Sequence, residues 1–102
     1  MIVEYIRYSI ADDRRVAFLE AYEKAARFLQ ESPHCISLEL SQCVDENDRF
    51  ILRIEWKSRE EHLHGFRKSA GFNDFFRLVQ PFVGDIEEMQ HYGLTDVVHK
   101  AS

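Results

Sequence analysis

Hydrophobic periodicity changes from two to about 3.6 and back along this chain, and that switching limits the fold more than any other feature. Residues 2–10 (IVEYIRYSI) are rich in β-branched and aromatic side chains. Ile2, Glu4, Ile6, Tyr8 and Ile10 share one parity, as in a strand. Asp12-Asp13 offers a helix N-cap and an acidic first turn. From Arg14 to Glu31, Val16, Leu19, Tyr22, Ala26 and Leu29 recur at helical steps, and Phe18, Ala25 and Phe28 widen the stripe. Pro33 prevents continuation. His34 to Val44 alternates again, with Ile36, Leu38 and Leu40 on one side and Cys35, Ser37 and Glu39 on the other. The polar turn Asp45-Glu46-Asn47-Asp48 leads into Phe50, Leu52, Ile54 and Trp56, alternating with Ile51, Arg53 and Glu55. The two runs predict a hairpin.

Ser58-Arg59-Glu60-Glu61 is a capping box that opens a second helical region. Leu63, Phe66 and Ala70 mark its first inner face, and Ser69-Ala70-Gly71 predicts a break. Phe72, Phe75, Phe76 and Val79 resume helical spacing before Pro81, and residues 82–92 read as a last strand with a bulge at Gly84. The order β-α-β-β-α-β predicts an α+β, ferredoxin-like domain over residues 1–92, with two helices on one face of a four-stranded antiparallel sheet. Residues 93–102 form a C-terminal tail, or an arm onto a partner. Leu94, Val97 and Val98 in that tail need a surface to cover, which favours a homodimer. The free sheet face is the expected interface, with Ser37, Glu39, Ile51, Arg53, Glu55, Glu87, Met89 and His91 upon it.

One domain suits 102 residues, and a net charge of −5 speaks against nucleic-acid binding. The longest apolar runs fall far short of a membrane span, and no signal peptide is evident, so a soluble cytoplasmic protein is expected. Cys35 and Cys43 on one strand are too far apart to bridge and are read as reduced and structural. His62 and His64 at i, i+2 cannot chelate together from a regular helix, there is no zinc spacing and no glycine-rich phosphate loop, and no metal or cofactor is expected.

Residues 53–76, RIEWKSREEHLHGFRKSAGFNDFF, resemble the antibiotic biosynthesis monooxygenase (ABM) family. Glu55-Trp56-Lys57-Ser58 matches the strand end and helix entry, and Ser69-Ala70-Gly71-Phe72 with Phe75 and Phe76 matches the exit. The Ser32-Pro33-His34-Cys35 entry and the Phe82-to-Tyr92 segment extend the likeness over residues 2–92. The resemblance implies a dimeric α+β barrel, and an activity that oxidises quinols or polycyclic phenols with O₂ without metal or flavin. The pocket would hold a flat aromatic ring and favour its anion.

Trp56, Phe66, Phe72 and Phe76 are the expected substrate walls, joined by Tyr8, which shares parity with Ile6. His62 is the expected catalytic group. Phe66 stands where many members carry a histidine, and His62 lies one turn earlier on the same face. That departure keeps a second reading open: a non-catalytic dimeric binder or sensor of a small hydrophobic ligand. A haem-degrading activity, known in relatives of the fold, would need an axial histidine such as His62 or His64 and a polar first-strand partner, where this chain has Glu4.

Overall fold

The computed structural model describes residues 1–101. Four strands, β1 (Ile2–Ser9), β2 (Cys35–Gln42), β3 (Arg49–Trp56) and β4 (Ile86–Gly93), form one antiparallel sheet in the order β2-β3-β1-β4. Two α-helices, α1 (Arg15–Gln30) and α2 (Ala70–Val79), cover one face. The predicted ferredoxin-like α+β architecture is therefore present. Among the described residues, no helix is long and apolar enough to cross a membrane.

α1 turns a different stripe to the sheet than its simple periodicity suggests. Phe18, Tyr22, Ala25 and Leu29 are buried, whereas Val16 is 70% exposed and Leu19 also faces out. Burying two rings removes more apolar area than burying Val16 and Leu19, so the helix rotates toward the rings. The Asp12-Asp13 cap is replaced by a 3₁₀ turn over Asp12–Arg14, and the Asp12 carboxylate binds Arg15 at 2.9 Å instead of capping α1.

Two bulges reset side-chain parity. Cys35 pairs with Trp56 but Ser37 pairs with Glu55, which leaves Ile36 as an extra, half-exposed residue. Cys35 thereby joins Leu38 and Leu40 against the core, rather than facing the opposite side as expected. Both cysteines are free thiols. On β4, Tyr8 pairs with Ile86 and Arg7 with Glu88, so Glu87 is the extra residue. Met89 and His91 then oppose Ile6 and Glu4 on the helix side. Their expected place on the outer face is overturned, because one inserted residue moves every later side chain across the sheet. The bulge lies at Glu87 and not at Gly84, which sits in a 3₁₀ segment (Gln80–Asp85) that delays the strand to Ile86.

The outer face carries ion pairs. Arg53 binds Glu55 at 2.8 Å and Glu39 at 3.4 Å, and Arg7 binds Glu88 at 2.8 Å. Leu94, Val97 and Val98 of the tail are exposed in the single chain, and Ser102 lies outside the described residues.

Candidate functional site

The chain between β3 and α2 positions the site. Ser58 caps it as predicted, its Oγ accepting the Glu61 N–H at 3.0 Å. The reciprocal half of the capping box is absent, because the Glu61 carboxylate bonds to the His34 imidazole instead. That bond ties the entry of β2 to a π-helical turn, Glu61–Gly65. Gly65 is required there, since a Cβ would come within 2.6 Å of the His34 ring. A 3₁₀ turn (Phe66–Lys68) follows. Ser69 then ends it and starts α2, its Oγ donating to the Phe66 carbonyl at 2.6 Å and accepting the Phe72 N–H at 3.2 Å. The predicted break is thus real. The altered winding also shifts the inner face to His62 and Phe66, while Leu63 is only half-buried and Ala70 is exposed.

A cavity of about 230 Å³ opens between this segment and the sheet. Its floor includes Ile6 and Tyr8 of β1, Trp56 of β3 and Met89 of β4. Its roof is an aromatic wall from Phe66, Phe72, Phe75 and Phe76. The rings meet edge-on: Phe66 lies 5.7 Å from Phe72 and 5.8 Å from Phe75 between centroids. Phe76 is partly exposed at the margin. Every substrate-wall residue expected from sequence (Trp56, Phe66, Phe72, Phe76 and Tyr8) lines this space.

One corner of the cavity is polar. Glu4 is 2% exposed, and its Oε1 accepts the Trp56 indole N–H at 3.1 Å. His62 is 4% exposed and stacks on Trp56 with centroids 4.3 Å apart and planes 11° from parallel. Its Nδ1 shares a 2.6 Å hydrogen bond with Nε2 of His91, and its Nε2 lies 3.7 Å from Glu4. Burial pushes the Glu4 carboxyl up, opposed by the indole hydrogen bond and by Arg67. Burial also pushes His62 down to about 3, aided by the positive charge of Arg67 and by His91. His91 is lowered for the same reason, with Arg59 and Arg67 adding to it. Both imidazoles are therefore neutral near pH 7. The Tyr8 and Tyr22 hydroxyls bond to each other, and burial raises Tyr8 to about 12.

Residues 1–78 match the model of a family described as antibiotic biosynthesis monooxygenase. This chain belongs to the ABM family. An uncharacterized protein of Bacillus subtilis strain 168, YczJ, is 26% identical over 92 residues, spanning 90% of this chain and 97% of that one. A Bordetella bronchiseptica protein, provisionally named an antibiotic biosynthesis monooxygenase, superposes with a TM-score of 0.76 at 21% identity, covering 92% of this chain and 96% of its own. Rv0793 from Mycobacterium tuberculosis superposes with a TM-score of 0.69 at 17% identity, covering 98% of each chain. At such identities these two structures show a shared fold and nothing further.

Sequence reasoning placed His62 in the cavity but missed two of its neighbours. Glu4 sits at the buried parity of β1, and a carboxylate among Ile2, Ile6 and Ile10 was the available signal. His91 carried no local signal, because the Glu87 bulge alone turns it inward. His64 is exposed and does not enter the site.

Proposed function

We propose that this ABM protein binds a one- or two-ring phenol or quinol in the aromatic cavity and oxidises it with O₂. The cavity carries this reading: about 230 Å³ enclosed by rings, with a single polar corner. An apolar hollow of about 150 Å³ holds benzene, so this one suits one or two fused rings rather than a longer polycycle.

The ring lies between the Phe66–Phe72 wall and the Trp56 floor, with its hydroxyl toward Glu4 and His62. Glu4, made more basic by burial, takes the phenolic proton, and neutral His62 orients the hydroxyl by accepting or relaying it. The electron-rich anion reduces O₂. One oxygen atom joins a ring carbon and the other leaves as water, so a quinol becomes a hydroxyquinone with no outside reductant. The catalytic role expected for His62 is thus assigned here to His62 together with Glu4.

The lowered basicity of His62 and the presence of Phe66 at the usual histidine place favour a second reading, a binder without turnover. An oxygen electrode with a panel of one- and two-ring hydroquinones separates the two. Saturable uptake, reduced about 100-fold in Glu4→Gln and at least about 10-fold in His62→Ala, supports oxidation. Ring binding seen by calorimetry without uptake above background establishes the binder.

The family resemblance also supports a homodimer formed through the outer sheet face. Arg53, Glu39 and Glu55 offer paired charges there, and the exposed Leu94, Val97 and Val98 offer an arm. Sedimentation of the wild type against Arg53→Glu and a chain ending at Gly93 tests this. A wild type that stays monomeric at high concentration removes it.

A further inference from the structure

We infer that Glu4, His62 and His91 form a binding site for a divalent transition-metal ion, open to the aromatic cavity. The three residues come from β1, the π-helical turn and β4, and their donor atoms lie within 4.8 Å of one another. Two imidazole nitrogens with one carboxylate oxygen suit zinc, ferrous iron and their neighbours, rather than calcium, magnesium or cuprous copper. The inference uses the same corner as the oxidation reading, but it rests on the ligands alone and does not need turnover.

Three features make this more than a chance cluster. The nitrogens of His62 and His91 stand 2.6 Å apart, a separation that requires a proton or a cation between them. Nitrogens sharing a tetrahedral metal at about 2.0–2.1 Å stand about 3.3 Å apart, so the pair must open by about 0.7 Å. Secondly, the ligands are held from behind. The indole N–H of Trp56 binds Glu4, and its ring face fixes the plane of His62. Outer partners of this kind set ligand orientation at metal sites. Lastly, among the described residues the Glu4 carboxylate receives a hydrogen bond from Trp56 alone, which leaves acceptor capacity toward the two imidazoles. The nearby positive charges of Arg67 and Arg59 oppose a cation, and they give the proposal a distinctive test.

Protein stripped with a chelator and then titrated with Co²⁺ and with Zn²⁺ reads the site directly, by calorimetry and by the visible bands of bound cobalt. One equivalent should bind at micromolar concentration or below. His91→Ala and Glu4→Gln should each weaken binding by more than about 100-fold, and Trp56→Phe by about 10-fold. Arg67→Gln should tighten it. His91→Asn replaces His91→Ala if circular dichroism shows that the latter is unfolded. No binding at about 1 mM metal overturns the inference. So does binding that survives His91→Ala but is lost in His34→Ala or His64→Ala, since the metal would then sit on the surface cluster near Glu61. The readout is metal occupancy, so a chain that binds cobalt without consuming O₂ keeps this inference and loses only the oxidation reading, and the converse result separates them equally.

Discussion

The two ends of the aromatic layer between helices and sheet are built from the same side chains, yet one is solid and the other hollow. At the solid end Phe18 is completely buried, with Tyr8, Phe50, Tyr22 and Phe82 at 4.9, 4.9, 5.1 and 5.2 Å between centroids. At the other end Phe66, Phe72 and Phe75 stand slightly further apart and roof a cavity above Trp56. Ring content does not explain the difference. Regular α1 presses its rings directly onto the sheet. The π turn, the 3₁₀ turn and the Ser69 restart instead arch over the other end of the sheet. An irregular backbone held by side-chain bonds, such as Glu61 to His34, keeps the space open at a cost in packing.

The contrast should show most strongly in stability. Phe18→Ala should cost about 3–5 kcal/mol in urea unfolding, whereas Phe72→Ala, beside an existing void and only partly buried, should cost less than about 2. Equal losses would mean that the hollow end is packed as tightly as the solid one.

Alkaline unfolding probes the Tyr8–Tyr22 pair, which links the two ends. Unfolded tyrosine loses its proton near pH 10. Folded Tyr8 holds its proton to about 12, and Tyr22 is also raised. Above pH 10 the folded chain therefore binds more protons than the unfolded one. Stability is complete below that pH and declines as pH rises toward 12, by on the order of 2 kcal/mol from Tyr8 and by a further amount from Tyr22. Tyr22→Phe should shorten the decline. A flat profile through pH 12 would place the hydroxyls in water.

Filling the hollow sharpens the comparison from the other side. Phe72→Trp should change stability by less than about 1 kcal/mol while weakening hydroquinone binding at least about 10-fold by calorimetry. The same enlargement at Phe18 should be destabilising, since that ring is completely buried among four others.

The smallest effect belongs to the outer sheet face. Arg53→Ala should shift monomer stability by less than about 1 kcal/mol, because its pair with Glu39 is exposed and its pair with Glu55 is only part-buried, so both are screened by water. Its consequence should appear in self-association, measured by sedimentation, and not in the melting curve.

Much of this was legible in the residues. Alternation in IVEYIRYSI and RFILRIEW, the helical spacing of 14–31, and the Ser58 and Ser69 caps identify elements through local backbone preference. Parity and spacing turned Trp56, Phe66, Phe72, Phe76 and Tyr8 inward, the family resemblance implied that they wall a pocket, and the structure brings them to one cavity. Parity failed where a single residue was inserted. Ile36 and Glu87 each bulge out of a ladder, and those two events moved Cys35, Met89 and His91 to the opposite face. No short-range pattern announces a bulge at a residue that any strand would accept.

By itself, then, the sequence determined the elements, their order and the face that each regular strand buries, because those depend on side chains two to four residues apart. Tertiary structure alone decided that residues 4, 62 and 91 meet beside an indole and that the rings above them leave room for a guest. Both outcomes depend on strand register and on the height of an irregular turn above the sheet. These are set by the closing of long loops and not by any local run of residues.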